Sequence, residues 1–235
     1  MNLNRGITAM LMVTAISLFL NAEAFAKNSY SEPKKPDVSK KFDPEKEKKI
    51  NDIAQLPMEE AFEEIKTDEF LSDPDLMYKA IDKAFSDRKA DTVIYAANYL
   101  MSPLKNASDG KTSKRIKDFD AARRIFETFP EDATPILLSF YDGGNAETKG
   151  NTARAAGRVA GGREIRNLLM KALDDNAYYE EEYPDSSGEP MRICDMAYNQ
   201  LVLRYAIRNV LRTLSPAHRV EVRDYHIGIL KDALK

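Results

Sequence analysis

From residue 50 onward, apolar side chains recur at the three- and four-residue spacing of an α-helix, and no segment alternates apolar with polar residues as a strand does. Proline and glycine separate these runs and supply starts and ends for helices. Asp73 is placed to cap the run that begins with Pro74, and Ser215 is placed to cap the last run, which begins with Pro216. The pair Gly161-Gly162 is placed to end another run. The pattern predicts one all-α domain over residues 50–235.

Three segments share a short pattern, in which a polar start is followed by two small residues and then by an apolar residue. They are DTVIYAANYL (91–100), GNTARAAGRV (150–159) and, more loosely, RICDMAYNQL (192–201). A shift of 41 residues superposes the last two. A shift of 31 superposes the helices predicted before them, PILLSFY (135–141) and RNLLMKA (166–172). The difference lies in the long connection at 174–190, so the pattern indicates a repeated helix-turn-helix unit with one insertion.

The segments DTVIYAANYL and NTARAAGRVAG resemble the second-helix signature of the HEAT-repeat family and its HEAT-like relatives in bacteria. The similarity covers roughly residues 74–101 and 133–203 and continues more weakly to residue 234. The resemblance implies a short α-solenoid of stacked antiparallel helix pairs that presents a concave or ridge surface to a protein partner. Stacking is also what the physics requires, because one helix pair cannot bury its apolar face alone.

The first 26 residues have the layout of an export signal. Arg5 precedes the apolar run GITAMLMVTAISLFL, and Ala24-Phe25-Ala26 forms a small-x-small cleavage site. The run is shorter than the roughly 20 apolar residues of a membrane-spanning helix. We therefore predict a signal peptide over 1–26, cleavage after Ala26, and a periplasmic or secreted protein without an integral membrane span. A retained membrane anchor is the alternative.

Residues 27–49 carry eight lysines and three prolines and almost no large apolar side chains. A segment of this composition cannot bury enough surface to offset its ordering entropy, so we expect a disordered, flexible arm. The alternative is a weak association of this basic arm with an anionic envelope surface. The chain as a whole has a net charge of −3, which gives no electrostatic basis for binding nucleic acid.

The single cysteine, Cys194, is predicted to lie in the core. Ile193, Ala197 and Leu201 share its helix face by their spacing, and cysteine behaves as a small apolar residue in such a place. The neighbouring Asp195 opposes formation of a reactive thiolate. The alternative is a nucleophile in a thiol-dependent enzyme of the cell envelope.

Catalytic and metal-binding motifs are missing from the sequence: HExxH, GxSxG, Walker-type and GxGxxG patterns do not occur. His218 and His226 are about 12 Å apart along a helix that rises ~1.5 Å per residue, too far to share one metal ion. We therefore predict a non-enzymatic protein without a metal or cofactor. A hydrolase that uses paired carboxylates such as Asp174 and Glu181 is a further alternative.

The insertion at 174–190 is the predicted partner-binding segment, because loops on a rigid scaffold often carry recognition and tyrosine contributes strongly to interfaces. The residues concerned are Tyr178, Tyr179, Glu180, Glu181, Glu182, Tyr183 and Asp185. The alternative is a solvated loop whose tyrosines pack over the neighbouring repeat, and the ligand spacing of a calcium loop is missing. The arginine pairs 163/166 and 204/208 are expected to meet these acids or helix C-termini. The sequence thus favours an exported protein-binding scaffold, with a structural envelope-associated protein as an alternative.

Overall fold

The computed structural model describes residues 33–100, 111–179, 188–205 and 211–234, with the backbone alone for 111–115. These residues form eleven helices and no strand, and they contain one isolated antiparallel bridge, between Tyr178 and Arg192. The predicted all-α class is confirmed. In the described part of the chain, no helix has the length and apolarity to cross a membrane.

The helices have the following bounds. They are α1 (Pro44–Ile53), α2 (Met58–Glu64), α3 (Asp68–Ser72), α4 (Pro74–Phe85), α5 (Lys89–Leu100), α6 (Lys111–Thr128), α7 (Pro130–Gly143), α8 (Ala146–Ala156), α9 (Gly162–Ala172), α10 (Ile193–Arg204) and α11 (Val220–Leu234).

Short polar side chains and special backbone conformations determine where these helices start. The carboxylate of Asp73 accepts a hydrogen bond from the backbone N–H of Leu76 at 3.2 Å, with Pro74 as the first residue of α4, as predicted. Asn145 caps α8 in the same way through the N–H of Thr148. The chain turns into α9 at Gly162, whose φ of +56° lies in the left-handed region that favours glycine.

Alternate helices pack against each other through much of the chain. α4 packs on α6, α5 on α7, α7 on α9, and α8 on α10. Consecutive helices are also in contact, most extensively α5 with α6 and α7 with α8, while α1 packs on α4 and α11 packs on α10. The helices bury one continuous apolar core that extends from Ile50 to Leu234.

Small residues allow α8 and α10 to approach closely, as their spacing in the sequence predicts. Ala153, Ala155 and Ala156 are completely buried. At the end of α8, a Cβ added to Gly157 would overlap the amide of Gln200 on α10 and lie 2.7 Å from its Cβ. The backbone of one helix therefore lies directly against a side chain of the other.

Four arginines, at positions 163, 166, 204 and 208, were expected to meet acids or helix C-termini, and two of them bind carbonyl groups at helix ends. Arg204 donates to the carbonyl oxygens of Ala156 and Val159 at the end of α8. Arg166 donates to the carbonyl of Leu234 at the end of α11. Arg163 is exposed, and residue 208 lies outside the described residues.

The structure differs from the sequence prediction at both ends of the domain. Residues 44–49, which the composition assigns to the flexible arm, form the start of α1, because Asp43 caps the helix and Pro44 occupies its first position. The last helix begins at Val220 and not at Pro216. The residues before it form a turn in which Ser215 bonds the ring of His218, with Oγ and Nδ1 2.9 Å apart.

The extended segment before α1 lies along α4. Lys40 pairs with Asp75 at 2.5 Å and Lys46 pairs with Asp73 at 3.0 Å. Between these pairs lies the partly buried ring of Phe42, which has the ammonium groups of three lysines within 6 Å of its centre. Since exposed ion pairs contribute little to stability, the ring is the main apolar anchor of this segment. The part of the predicted arm before residue 33 lies outside the described residues.

Replacement of Gly157 by alanine is expected to destabilise the fold by about 1–3 kcal/mol, because the new methyl group must displace Gln200 or separate α8 from α10. Gly228→Ala is the matched control, since Gly228 lies inside α11 with no atom within 4 Å of an added Cβ. We expect that variant to gain up to about 1 kcal/mol from better helix propensity. Chemical denaturation measures both, and equal changes in the two variants would contradict the close packing.

Candidate functional site

The structure describes the two ends of the predicted partner-binding loop. Tyr178 is 53% exposed, whereas Tyr179 is 7% exposed. The Tyr179 side chain lies over α8, where a Cβ added to Gly150 would overlap its ring. The other predicted residues, Glu180, Glu181, Glu182, Tyr183 and Asp185, lie outside the described residues. One tyrosine of the pair thus faces solvent, and the other packs on α8, as the alternative of a tyrosine packed on the neighbouring helices expects.

The start of this connection is held by main-chain and side-chain contacts. The carbonyl of Asp175 accepts from the N–H of Cys194, and that of Ala177 accepts from the N–H of Ile193, both at 2.9 Å. The Asp175 carboxylate also pairs with Lys149 at 3.2 Å. Asp174, one half of the carboxylate pair considered for a hydrolase, pairs with Lys231 at 2.6 Å. The other half, Glu181, lies outside the described residues.

The end of the connection is fixed by an ionic cluster whose central pair, Asp195 and Arg223, is completely buried. Asp195, in the first turn of α10, accepts from the guanidinium of Arg223 on α11 at 2.6 Å and from that of Arg192 at 2.9 Å. Arg223 has no exposed surface and also donates to the carbonyls of Glu189, Pro190 and His218. These bonds clamp the residues before α10 between α10 and α11.

A second carboxylate completes the cluster at the surface. Asp224, which is exposed, accepts from Arg192 at 2.7 Å. Burial disfavours the charge on Arg192, but the hydrogen bonds to Asp195 and Asp224 outweigh it and raise the pKa of its guanidinium above the usual value. The guanidinium of Arg192 therefore stays charged.

Cys194 is core, as predicted. Its side chain is 1% exposed, and its Sγ lies 3.4 Å from Oδ1 of Asn176 and 3.8 Å from Oδ1 of Asp195. Burial, together with the negative charge of Asp195, raises the pKa of the thiol to about 12. A thiol in this setting stays protonated at neutral pH and is a poor nucleophile.

The two histidines lie apart from the cysteine in separate local settings. His218 is bound within its turn by Ser215. His226 is partly buried between the rings of Tyr198 and Tyr225, and its burial lowers the pKa of the imidazole. Among the described residues, no group of three histidine, cysteine or acidic side chains is arranged to hold a metal ion.

A cleft of about 340 Å³ lies where α6, α8 and α10 meet. It combines arginines with apolar side chains, and we call it the arginine cleft. Its lining residues are Ile116, Phe119, Asp120, Arg123, Arg154, Arg158, Gln200 and Leu203. This site was not predicted from the sequence, because its lining residues come from three segments that are distant in the chain.

Arg123 is fixed in the wall of the cleft by acids of its own helix. Its guanidinium pairs with the buried carboxylate of Glu127 and lies 3.3 Å from that of Asp120. Although burial disfavours the charge of Arg123, these acids raise its pKa above the usual value. The hydroxyl of Tyr78 donates to the same Glu127, and burial together with that carboxylate raises the pKa of Tyr78 to about 12.

The opposite wall carries the other two arginines. The guanidinium of Arg154 lies over the ring of Phe119, 5.8 Å from its centre, and Arg158 is exposed. Ile116, which also lines the cleft, is 54% exposed. The cleft thus offers donors for an anionic group next to uncovered apolar surface.

Comparisons of this chain with protein-family models, with curated proteins and with solved structures returned no match.

Asp195→Asn is expected to lower the free energy of unfolding by about 3–5 kcal/mol, because it leaves two buried guanidinium groups without their shared counter-charge. Asp224→Asn is the matched control, since that carboxylate belongs to the same cluster but is exposed, and we expect a loss below about 1 kcal/mol. Urea denaturation followed by circular dichroism compares the two. Similar small losses in both variants would show that the buried cluster does not hold α11 in place.

The raised pKa of Cys194 gives a pH dependence with a definite sign. The folded protein keeps this thiol protonated up to about pH 12, whereas an unfolded chain releases the proton near its usual pKa of about 8.5. This contribution to stability is complete below about pH 8.5 and is lost as the pH rises towards 12, by up to about 1.4 kcal/mol per unit. Cys194→Ala should lose less stability over this range than the wild type in urea titrations at several pH values. Rapid labelling of the native thiol at pH 7 would contradict its burial.

Proposed function

We propose that the protein is an exported, non-enzymatic scaffold that binds a protein partner through the arginine cleft. The export signal layout of residues 1–26 supports a periplasmic or secreted location. The packing of α5 on α7, α7 on α9 and α8 on α10 supports a short solenoid of antiparallel helix pairs of the HEAT-like kind.

The single observation that carries the proposal is the composition of the cleft. Arginine is among the residues that contribute most to protein interfaces, because its guanidinium donates several hydrogen bonds in a fixed plane while its stem packs on apolar groups. In this chain of net charge −3, three arginines line one cleft together with three apolar side chains. Such a surface fits a partner that covers the apolar residues and pairs with the charges.

The same lining argues for binding over chemistry. None of its eight residues is serine, cysteine, histidine or lysine, and its one acid, Asp120, is paired with Arg123. A nucleophile or general base would need such a group within reach of a bound substrate. The buried thiol of Cys194 lies in the core and not in this cleft.

The predicted role of the connection at 174–190 stays a prediction. Its exposed Tyr178 offers a second contact for the partner, whereas Tyr179 serves the packing of α8. A partner that reached both the cleft and Tyr178 would bury more surface than the cleft alone provides, as specific interfaces require.

A photo-crosslinking amino acid at position 116 should trap the partner in the cells that make the protein, because Ile116 lies in the cleft. Position 94 is the matched control: Ile94 is 56% exposed, like Ile116 at 54%, but lies on α5 away from the cleft. We expect one discrete adduct from position 116 and none from position 94.

The N-terminus of the crosslinked protein also shows whether the signal peptide has been removed. N-terminal sequencing should find Lys27 as its first residue if the chain is exported and cleaved after Ala26. Equal adducts from both positions, or none from position 116, would contradict the cleft as the binding site. A chain that still begins at Met1 would contradict export with cleavage.

A further inference from the structure

We propose that the occupant of the arginine cleft is an acidic peptide segment of the partner, with a carboxylate placed at Arg158 and an aliphatic or aromatic side chain placed on Ile116. This inference rests on the proposed function and goes further by naming the chemistry of the partner.

The charge that faces a partner comes from one wall of the cleft. Arg123 is already paired with Glu127 and Asp120 on its own helix, so it contributes little net charge. Arg158 lies in the turn that follows α8, is exposed and forms no ion pair with another described residue. Its guanidinium is therefore the charge on this wall that an anionic group of a partner can reach, while the guanidinium of Arg154 lies over the ring of Phe119.

Arginine favours a planar anion with two oxygens. A carboxylate accepts two parallel hydrogen bonds from one guanidinium, and such charge-assisted bonds are about twice as strong as neutral ones. An acidic side chain of the partner therefore suits this wall.

The apolar part of the cleft distinguishes a peptide from other anions. Ile116 and Phe119 are one helical turn apart on α6, and Leu203 faces them from α10. Covering Ile116 and its neighbours is favourable by roughly 25 cal/mol for each Å² removed from water. A chain of phosphates would leave this apolar surface in contact with water. A peptide can cover it with an apolar side chain and place a carboxylate on a neighbouring residue.

The size of the cleft agrees with a short segment. Its volume of about 340 Å³ lies at the lower end of the 300–1,000 Å³ that is typical of small-molecule sites. The lining comes from three helices that follow alternate positions in the chain, α6, α8 and α10, so the site continues across the helices. A few residues of an extended peptide fill it.

The test is selection from a randomised twelve-residue peptide display library on the purified protein, with Arg158→Gln as the second target. We expect the wild type to enrich peptides that place aspartate or glutamate next to leucine, isoleucine or phenylalanine, and the variant to lose them. Arg163→Gln is the matched control, because Arg163 is also exposed but lies on α9 outside the cleft. Circular dichroism checks that both variants stay folded.

A selected acidic peptide, labelled with fluorescein, then gives affinities by anisotropy. We expect Arg158→Gln and Ile116→Ser to weaken binding about tenfold each, with Arg163→Gln and Ile94→Ser within roughly twofold of the wild type. Added salt should weaken the wild type and leave Arg158→Gln nearly unchanged.

Several results would overturn the inference: no enrichment, enrichment of basic or neutral peptides, equal enrichment on Arg158→Gln, or binding of an oligothymidine of equal charge that needs the same arginine. Crosslinking at position 116 separates these failures from a failure of the proposed function. An adduct there without acidic peptides would mean a protein partner of different chemistry, while loss of both would remove the cleft as a binding site.

Discussion

The arrangement of the C-terminal helices depends on one completely buried carboxylate. Asp195 is shared by Arg192 and Arg223, and through them it joins the start of α10, the residues before it and the middle of α11. Removing two guanidinium groups and a carboxylate from water is costly, and only a geometry in which each partner is bonded offsets that cost. Such a cluster tolerates few alternative arrangements. It therefore fixes the orientation of α10, which supplies Gln200 and Leu203 to the arginine cleft.

Local rules predicted the cap at Asp73 and the inward position of Cys194, because both depend on residues close in sequence. Gly162 has the expected left-handed backbone, but it begins α9, whereas the helix before it already ends at Ala156. The predicted start of the last helix, at Pro216, was wrong, because Ser215 bonds the ring of His218 and so stabilises a turn in place of a helix. A side-chain bond of this kind competes with helix formation and is not visible in the spacing of apolar residues.

Arg223 is buried, although a pattern based on apolar residues alone does not place an arginine in the core. It stands three residues after Val220 and four before Ile227, so its position belongs to the buried face of α11 although its type is charged. The arginine cleft was missed for a related reason. Residues near 119, 157 and 201 form it together, and the sequence does not show that three distant segments meet. The sequence favoured the loop at 174–190 as the binding segment instead, because its aromatic and acidic residues are adjacent in the chain.

The contact between Gly157 and Gln200 connects the packing of the helices to recognition. Gly157 stands between the two arginines of one wall of the cleft, and Gln200 lies in the facing helix beside Leu203. A single missing methyl group thus sets the width of the opening. Related chains could exchange the charges and apolar groups along the rim and so change which segment they accept, provided that this position keeps its hydrogen atom. Such chains would then differ in the segment that they bind while they keep the same distance between α8 and α10.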